Sequence, residues 1–288
     1  MQDSYKDKYL PEGKKLAVPK LIIADIDRTL RDRFTPIPGP ETCEAFRVLH
    51  EKGILLGLAS GRPLWQEVEN HAKQWNLGFQ FDFLLGLNGS EIKDTHTNTT
   101  GHYHYLTPES IKEIIENMMS LNDNPLIYKE GYELTVSADK NMTEGAKRHG
   151  TIIKECSDIS ELWAEDTAKI LYRVDENKTE EIHAFARSFC NDNYTCFFTG
   201  PGILEFQSPA INKGEGLKIY CRDHNIAIED TMAFGDAEND LQMMETAGTA
   251  VCVDNAMDMI KDVSDYITDK DAGHDGVGDF IFHHLDLN

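Results

Sequence analysis

The feature that most constrains the fold is a repeated alternation between short apolar runs and amphipathic stretches. From Lys20, the run LIIAD is followed by the helix-like TCEAFRVLHEKG, then by ILLGLAS and PLWQEVENHAKQW. The alternation returns after Pro209 with NKGEGLKIYCRDHN, TMAFGD, AENDLQMMETAG, TAVCVD, AMDMIKDV and DYIT. Strands that alternate with helices predict an α/β fold, a Rossmann-like doubly wound parallel sheet covered by helices.

The middle of the chain has a different pattern. HYHYL, PLIYKE, YELTVS, AKILYRV, YTCFFT and ILEFQ are short strand-like runs that follow one another closely. Between them lies TPESIKEIIENMM, where Thr107 suits a helix N-cap and Pro108 the first helical position. This pattern predicts an α+β domain with an antiparallel sheet, inserted at residues 92–207 into a core formed by residues 1–91 and 208–288.

Composition excludes several classes of function. The chain has 288 residues, enough for two domains, and a formal net charge of −22, which disfavours binding to nucleic acid or to an anionic membrane. If the substrate is an anion, a few local cations must overcome this field, so any Lys or Arg beside an acidic site gains interest. No obligate protein partner is inferred.

Localisation is predicted from the search for a membrane span or signal peptide and from the spacing of the cysteines. No apolar run approaches the roughly 18 to 20 residues of a membrane span, and the polar start MQDSYKDKYLPEGKKL lacks a signal-peptide pattern, so we expect a cytoplasmic protein. Six cysteines without a C-x-x-C pair indicate reduced thiols rather than disulfides or a zinc site.

Two carboxylates follow the first predicted strand. Asp25 and Asp27 end the run LIIADID, where a buried strand end has little reason to hold unpaired charges. A hard divalent cation is the natural compensation, and helix or turn caps are the alternative. A second acidic group, Asp236 and Asp240, follows the strand TMAFG, where capping is again the alternative and metal binding the simplest way to stabilise a dense negative cluster.

Candidate anion-binding groups lie at the same predicted edge. Ser60 and Gly61 end a strand just before a helix, where backbone N–H groups and a hydroxyl can bind phosphate, although serine there is also an ordinary N-cap. Lys213 stands at a helix start, where a cation is unfavourable unless an anion is nearby, with a solvated lysine as the alternative.

These motifs, taken in order, resemble those of the haloacid dehalogenase-like hydrolase superfamily. The series is D-x-D-x-T, a strand-end serine, a lysine and G-D-x-x-N-D, and NGSEI, SPAINKGEGL and AGTAVCVDNAMDMIKDVSDYIT resemble the Cof-type branch with a type IIB cap. The resemblance implies a phosphatase that acts on phosphate monoesters of small metabolites, such as a sugar phosphate or a phosphorylated cofactor.

The resemblance also implies a role for each motif residue. Asp25 is the nucleophile that forms an aspartyl-phosphate, and Asp27 is the general acid and base. Mg²⁺ is held by the Asp25 carboxylate, the Asp27 backbone carbonyl and Asp236. Asp240 either binds the ion as well or contacts one of its ligands. Phosphate is held by Ser60, Gly61, Lys213 and Asn239.

Two positions depart from the family pattern, and several side chains stay open. Arg28 replaces a glycine, and we expect its side chain to point outward or to meet the inserted domain. Asp254 also stands where glycine is frequent, without a functional account.

A phosphomutase is the nearest alternative function, and a phosphoaccepting signalling module is a more distant one. Plausible lining positions of the inserted domain are Tyr128, Glu130, Tyr132 and Arg173, whereas His102, His104, His283, His284, Met243 and Met244 are expected to be structural.

Overall fold

The computed structural model of the protein describes residues 5–32, 34–65, 67–121, 124–129, 131–148, 151–200 and 202–287. They form two compact units. The first comprises Met1–Leu64, Val68–Gly101 and Asn212–Asn288, and the second Trp65–Glu67 and His102–Ile211. Glu130, one of the predicted lining positions, lies outside the described residues.

The first unit is built on an eight-stranded sheet with the order β14-β13-β12-β1-β2-β3-β4-β5. Its strands are β1 (Leu21–Asp25), β2 (Leu55–Ala59), β3 (Phe83–Gly86), β4 (Glu91–Asp94), β5 (Thr99–His102), β12 (Thr231–Gly235), β13 (Thr249–Cys252) and β14 (Tyr266–Ile267). The six strands from β14 to β3 are parallel, whereas β4 pairs antiparallel with β3. The predicted α/β fold is confirmed in this sheet.

Helices of the first unit lie between these strands in the chain, except for α9, which follows the last strand. They are α1 (Pro40–Glu51), α2 (His71–Gln74), α6 (Lys213–Asp223), α7 (Leu241–Thr246), α8 (Asp258–Val263) and α9 (Gly276–His284). The helix predicted over PLWQEVENHAKQW is shorter than expected, because its described part holds only a 3₁₀ turn over Val68–Asn70 followed by α2. Helix α9 was not predicted. It packs closely on α1, since a Cβ added at Gly278 would lie 2.4 Å from the backbone nitrogen of Thr42.

The second unit contains a six-stranded sheet with the order β10-β11-β9-β6-β7-β8. Its elements are α3 (Pro108–Met118), β6 (Pro125–Lys129), β7 (Tyr132–Thr135), α4 (Lys140–Arg148), β8 (Ile153–Glu155), β9 (Lys169–Arg173), α5 (Thr179–Arg187), β10 (Thr195–Gly200) and β11 (Ile203–Gln207). Apart from the parallel pair β7 and β8, the pairings are antiparallel. Thr107 caps α3 through a hydrogen bond from the N–H of Ser110.

The boundary between the units differs from the sequence-based one. The insertion was placed at 92–207, whereas the second unit runs from His102 to Ile211 with Trp65–Glu67 added. The shift at the first boundary has a simple cause: Ile92 lies in β4, which extends the sheet of the first unit through its pairing with β3.

Two general expectations can be compared with the structure. All six cysteines are free thiols, as predicted. Within the part of the chain that the structure describes, no helix is both long and apolar enough to cross a bilayer.

Candidate active site

The candidate site lies at the carboxyl edge of the parallel sheet in the first unit. Strand β1 ends at Asp25, which pairs in register with Ala59 at the end of β2, and the adjacent β12 ends at Gly235. Ser60 and Asp236 directly follow β2 and β12, so three predicted site residues are brought to one edge. In open α/β sheets this edge is where ligands bind.

Lys213 is the central cation of the site. Its Nζ donates to Asp25 Oδ1 at 2.5 Å and to Asp240 Oδ1 at 2.6 Å, and its side chain is fully buried. The alternative of a solvated lysine is therefore wrong. Burial alone would lower the pKa of Lys213, but the carboxylates of Asp240 and Asp25 raise it above its usual value. The two anions also explain why a cation is tolerated as the first residue of helix α6.

Three buried carboxylates form an acidic cluster: Asp25, Asp236 and Asp240. One ligand oxygen from each lies within 4.8 Å of the others. Asp240 Oδ2 accepts the backbone N–H groups of Asp236 and Ala237 at 3.0 and 3.1 Å, which fixes its orientation. Three carboxylates and one ammonium leave a formal charge of −2, which a divalent cation would neutralise.

The electrostatics of this cluster indicate a shortage of positive charge. Burial raises the pKa of Asp25 well above its usual range, with Asp240 and Asp236 adding to the shift and Lys213 opposing it. Burial and the neighbouring Asp240 raise the pKa of Asp236 to about 6. Asp236 Oδ1 accepts the Thr29 hydroxyl at 3.0 Å, but its buried Oδ2 has no hydrogen-bond partner among the described residues. These groups fit a metal ion, and the acidic cluster could hold one.

Asp27 lies outside the acidic cluster. Its side chain is 37% exposed, and both oxygens contact arginines. Arg31 approaches Oδ1 through Nε at 3.0 Å and Nη2 at 2.9 Å, while Arg62 Nη2 donates to Oδ2 at 2.7 Å. Neither arginine was singled out from the sequence, although the need for local cations in an acidic protein was a signal for both.

Three of the four predicted phosphate-binding residues lie around a tight loop after β3. The N–H of Asn88 donates to the carbonyl of buried Ser60 at 2.9 Å. Asn88 Oδ1 accepts Asn239 Nδ2 at 3.3 Å, and a Cβ added at Gly61 would lie 3.1 Å from the same oxygen. The structure thus places Ser60, Gly61 and Asn239 around Asn88, which the sequence analysis names only within the motif NGSEI. Asn88 adopts a left-handed φ of 59°, as turn asparagines do.

The structure shows side-chain contacts for both residues that depart from the family pattern, Arg28 and Asp254. Arg28 has a left-handed φ of 71°, and its half-exposed side chain places Nε 3.5 Å from Asp236 Oδ2 and Nη2 3.4 Å from the Asn255 carbonyl. Arg28 is expected to point outward or to meet the inserted domain, and its half-exposed side chain also reaches Asp236 of the acidic cluster. Asp254 accepts the Tyr9 hydroxyl at 2.6 Å, so it anchors the N-terminal segment.

The remaining candidates lie apart from these contacts. His102 is exposed and bonds to Tyr105, and Met243 and Met244 are buried in the core.

In the second unit, Tyr132 packs against the apolar cluster formed with helices α3 and α5. Tyr128 and Arg173 alternate with Ile127 and Tyr172 of that cluster, so they belong to the opposite face of the sheet. Tyr132 therefore does not share a face with Tyr128 and Arg173.

The chain is similar over nearly its whole length to proteins named as phosphatases. The chain is 24% identical over 276 residues to the 5-amino-6-(5-phospho-D-ribitylamino)uracil phosphatase YitU of Bacillus subtilis, covering 93% of this chain and 98% of that protein. It is also 24% identical over 268 residues to the HMP-PP phosphatase of Klebsiella pneumoniae, covering 93% and 96%.

Solved structures of other proteins share the fold of this chain. A haloacid dehalogenase-like hydrolase from Bacteroides thetaiotaomicron superposes with a TM-score of 0.81 at 26% identity, over 92% of this chain and 98% of that one. A sugar phosphatase of subclass IIB shares the fold, with a TM-score of 0.76 at 19% identity over 91% and 98%. The predicted resemblance to Cof-type phosphatases is confirmed. Because the sequence model of the haloacid dehalogenase-like hydrolases matches residues 22–281, the chain belongs to that family.

Proposed function

We propose that the enzyme hydrolyses phosphate monoesters of small metabolites through an aspartyl-phosphate on Asp25, with Mg²⁺ as its cofactor. The observation that carries this proposal is the buried contact of Asp25 with Lys213 inside a cluster of three carboxylates. A carboxylate that only stabilised the fold would not need to share a buried site with two others. A nucleophile that must approach a phosphate dianion does need neighbouring cations.

The residues that would hold Mg²⁺ are Asp25, Asp236 and Asp240, together with the Asp27 backbone carbonyl that the resemblance implies. The buried Asp236 Oδ2, which lacks a hydrogen-bond partner among the described residues, supports this assignment. When bound, the ion supplies positive charge that neutralises the carboxylates and the phosphate oxygens. Arg28 Nε, 3.5 Å from Asp236 Oδ2, adds positive charge on the same side.

Catalysis then takes two displacements. In the first, Asp25 attacks phosphorus, the bond from phosphorus to the ester oxygen breaks, and Asp27 donates a proton to the departing alkoxide. In the second, Asp27 takes a proton from water, the water oxygen attacks phosphorus, and the bond to Asp25 breaks. Inorganic phosphate is released and both aspartates return to their starting state.

Phosphate recognition is assigned to groups that point to the same edge of the sheet. Lys213 lies in contact with the nucleophile, so its ammonium can stabilise the charge on the transferred phosphoryl group. Ser60, the backbone of Gly61 and Asn239, which meets Ser60 through Asn88, provide donors that need no metal.

The substrate class follows the relatives, which are named for small phosphorylated metabolites. We assign the choice among such metabolites to the second unit, the counterpart of the cap in the resemblance. Tyr128 and Arg173 are its candidate selecting residues, because they share the sheet face that helices α3 and α5 do not cover. A small phosphorylated metabolite is the only partner this function requires.

The test is phosphate release from sugar phosphates, nucleotides and phosphorylated cofactors, with Mg²⁺ or EDTA. Wild type should turn over at least one compound only with Mg²⁺, and Asp25→Asn should reduce turnover to background. Asp230→Asn is a matched control, because Asp230 pairs with Lys20 just before strand β12, at the opposite edge of the sheet. Turnover that survives in Asp25→Asn would refute the aspartyl-phosphate, and an isomerised product that keeps its phosphate would indicate a mutase.

A further inference from the structure

Asp27 is held by two arginines that differ in exposure and in the oxygen they contact. Arg31 places Nε and Nη2 on Oδ1 at 3.0 and 2.9 Å, and Arg62 places Nη2 on Oδ2 at 2.7 Å. Building on the proposed function, we propose that Arg31 is a positioning residue. It fixes Oδ1 so that Oδ2 is the oxygen that gives a proton to the leaving group and later takes one from water.

Arg31 is suited to a fixed role because its own position is determined by several contacts. Its side chain is only 8% exposed, and Nη1 donates to the carbonyl of Pro36 at 2.5 Å. Its backbone closes the loop after β1, since its carbonyl accepts the N–H of Arg28 at 2.7 Å and its N–H donates to the Ile26 carbonyl at 3.3 Å. Asp27 and Arg31 therefore belong to one closed loop, in which the guanidinium contacts both Asp27 and the Pro36 carbonyl.

Arg62 differs because its side chain is more exposed than that of Arg31. Its side chain is 31% exposed, and it reaches Asp27 from the loop after β2, where its N–H donates to Ser60 Oγ at 3.1 Å. A leaving-group oxygen that arrives at Oδ2 must replace the contact from Arg62, whereas the contacts from Arg31 to Oδ1 remain. The Oδ2 side, which the more exposed Arg62 contacts, is thus the side of proton transfer, and the Oδ1 side, which buried Arg31 contacts, is the anchor.

The proton balance fits this division. As the bond from Asp25 to phosphorus forms and the ester bond breaks, the proton on Asp27 Oδ2 moves to the departing alkoxide oxygen. The carboxylate that results stays paired with Arg31, so its orientation is retained when it accepts a proton from water in the second displacement. An arginine with two nitrogens on one oxygen provides an orientation that a flexible lysine does not.

A role in proton transfer can be separated from a purely structural role by the leaving group. Benzyl phosphate and p-nitrophenyl phosphate are similar in size, but the benzyl alkoxide needs a proton to depart and the nitrophenolate does not. The value of kcat/KM reports only the steps up to departure, so the second displacement does not enter. Loss of Arg31 should therefore lower kcat/KM more for benzyl phosphate than for p-nitrophenyl phosphate.

The experiment compares wild type, Arg31→Gln, Arg31→Lys and Arg47→Gln on both compounds with Mg²⁺. For Arg31→Gln we expect kcat/KM to fall about 30- to 100-fold with benzyl phosphate and less than about 3-fold with p-nitrophenyl phosphate, in line with general acid catalysis. Arg31→Lys should recover part of the loss. Arg47 is the matched control, because it also pairs with a carboxylate, Glu44, and donates to a carbonyl, that of Asn76, at a distant surface.

Each outcome decides between the two roles. An equal loss on both compounds, or no loss on either, overturns the positioning role of Arg31, and a selective loss supports it. If thermal unfolding shows that Arg31→Gln does not fold, the same ratio is read from Arg31→Lys, which keeps the charge. Wild-type enzyme that releases phosphate from neither compound counts against the proposed phosphatase function itself, before any variant is compared.

Discussion

Replacing Lys213 with methionine should destabilise the protein strongly, and the loss should depend on pH. The ammonium is fully buried between Asp25 and Asp240, at 2.5 and 2.6 Å. Methionine fills a similar volume but leaves two buried carboxylates without their common cation. Breaking a buried ion pair in this way costs about 3–5 kcal/mol, because the remaining charges are uncompensated.

The pH dependence follows from Asp25. Its pKa is already raised above the reference value of 3.8, with burial as the largest cause, and Lys213 opposes the rise. Without the ammonium the folded-state pKa of Asp25 rises further. The native variant then retains a proton that the unfolded chain loses, so its stability decreases as pH increases through this range. The deficit relative to wild type should be largest at neutral pH and smaller near about pH 5.

Urea unfolding of wild type, Lys213→Met and Lys218→Met at about pH 5 and about pH 7.5 measures both effects. Lys218 is the matched control, because it lies in the same helix, is more than half exposed and pairs with Glu215 at 3.8 Å. Its loss should change stability by less than about 0.5 kcal/mol. A deficit below about 1 kcal/mol for Lys213→Met, or one that does not change with pH, would show that the buried ion pairs contribute little to the stability of the fold.

Three further predictions concern other parts of the molecule. Because the pKa of Asp236 is raised to about 6, Mg²⁺ affinity measured by calorimetry should weaken as pH falls through about 6, and an affinity unchanged down to about pH 5 would contradict this. Burial raises the pKa of Glu133 from 4.5 to about 7, with Arg173 opposing, so the native protein binds the extra proton and stability should fall as pH rises across this interval. Glu133→Gln should flatten that part of a curve of unfolding free energy against pH, and an unchanged slope would contradict the assignment. Tyr9→Phe removes the 2.6 Å bond to Asp254 and should lower stability by about 1 kcal/mol in urea unfolding while kcat and KM stay unchanged.

The site was predictable where one rule of topology applies. Asp25, Ser60 and Asp236 each follow a strand in the sequence, and the ends of parallel strands share an edge, so their proximity could be predicted without coordinates. Lys213 was predicted for a similar reason, since a helix start with a cation requires an anion nearby. These inferences use only local patterns and the parallel arrangement of neighbouring strands.

Other contacts depend on packing that a local pattern does not contain. Arg62 meets Asp27 across 35 residues and Asn239 meets Asn88 across 151 residues, so their pairing depends on loop conformation. Helix α9 lacked the amphipathic pattern of a surface helix, because most of GVGDFIFHH is buried, with Gly278 admitting the close approach of Thr42. The compact second unit begins at His102 rather than at residue 92 because β4 pairs with β3, which is a tertiary contact.

The arrangement of charge explains why a protein with a net charge of −22 can present a site for an anion. The cations Lys213, Arg28, Arg31 and Arg62 each contact a motif aspartate, so positive charge is concentrated at the carboxyl edge of the sheet. The Debye length of about 8 Å at physiological ionic strength screens more distant surface carboxylates, whereas contacts of 2.5 to 3.5 Å are little affected. The four cations offset the four motif aspartates, so the edge is close to neutral by itself, and a divalent cation would make it attractive to an anion. Arg28 and Arg31, which flank Thr29 and Leu30 in the loop after β1, contribute two of these four cations. It follows that sequence changes in this short loop can adjust the affinity for anions without altering Asp25 itself.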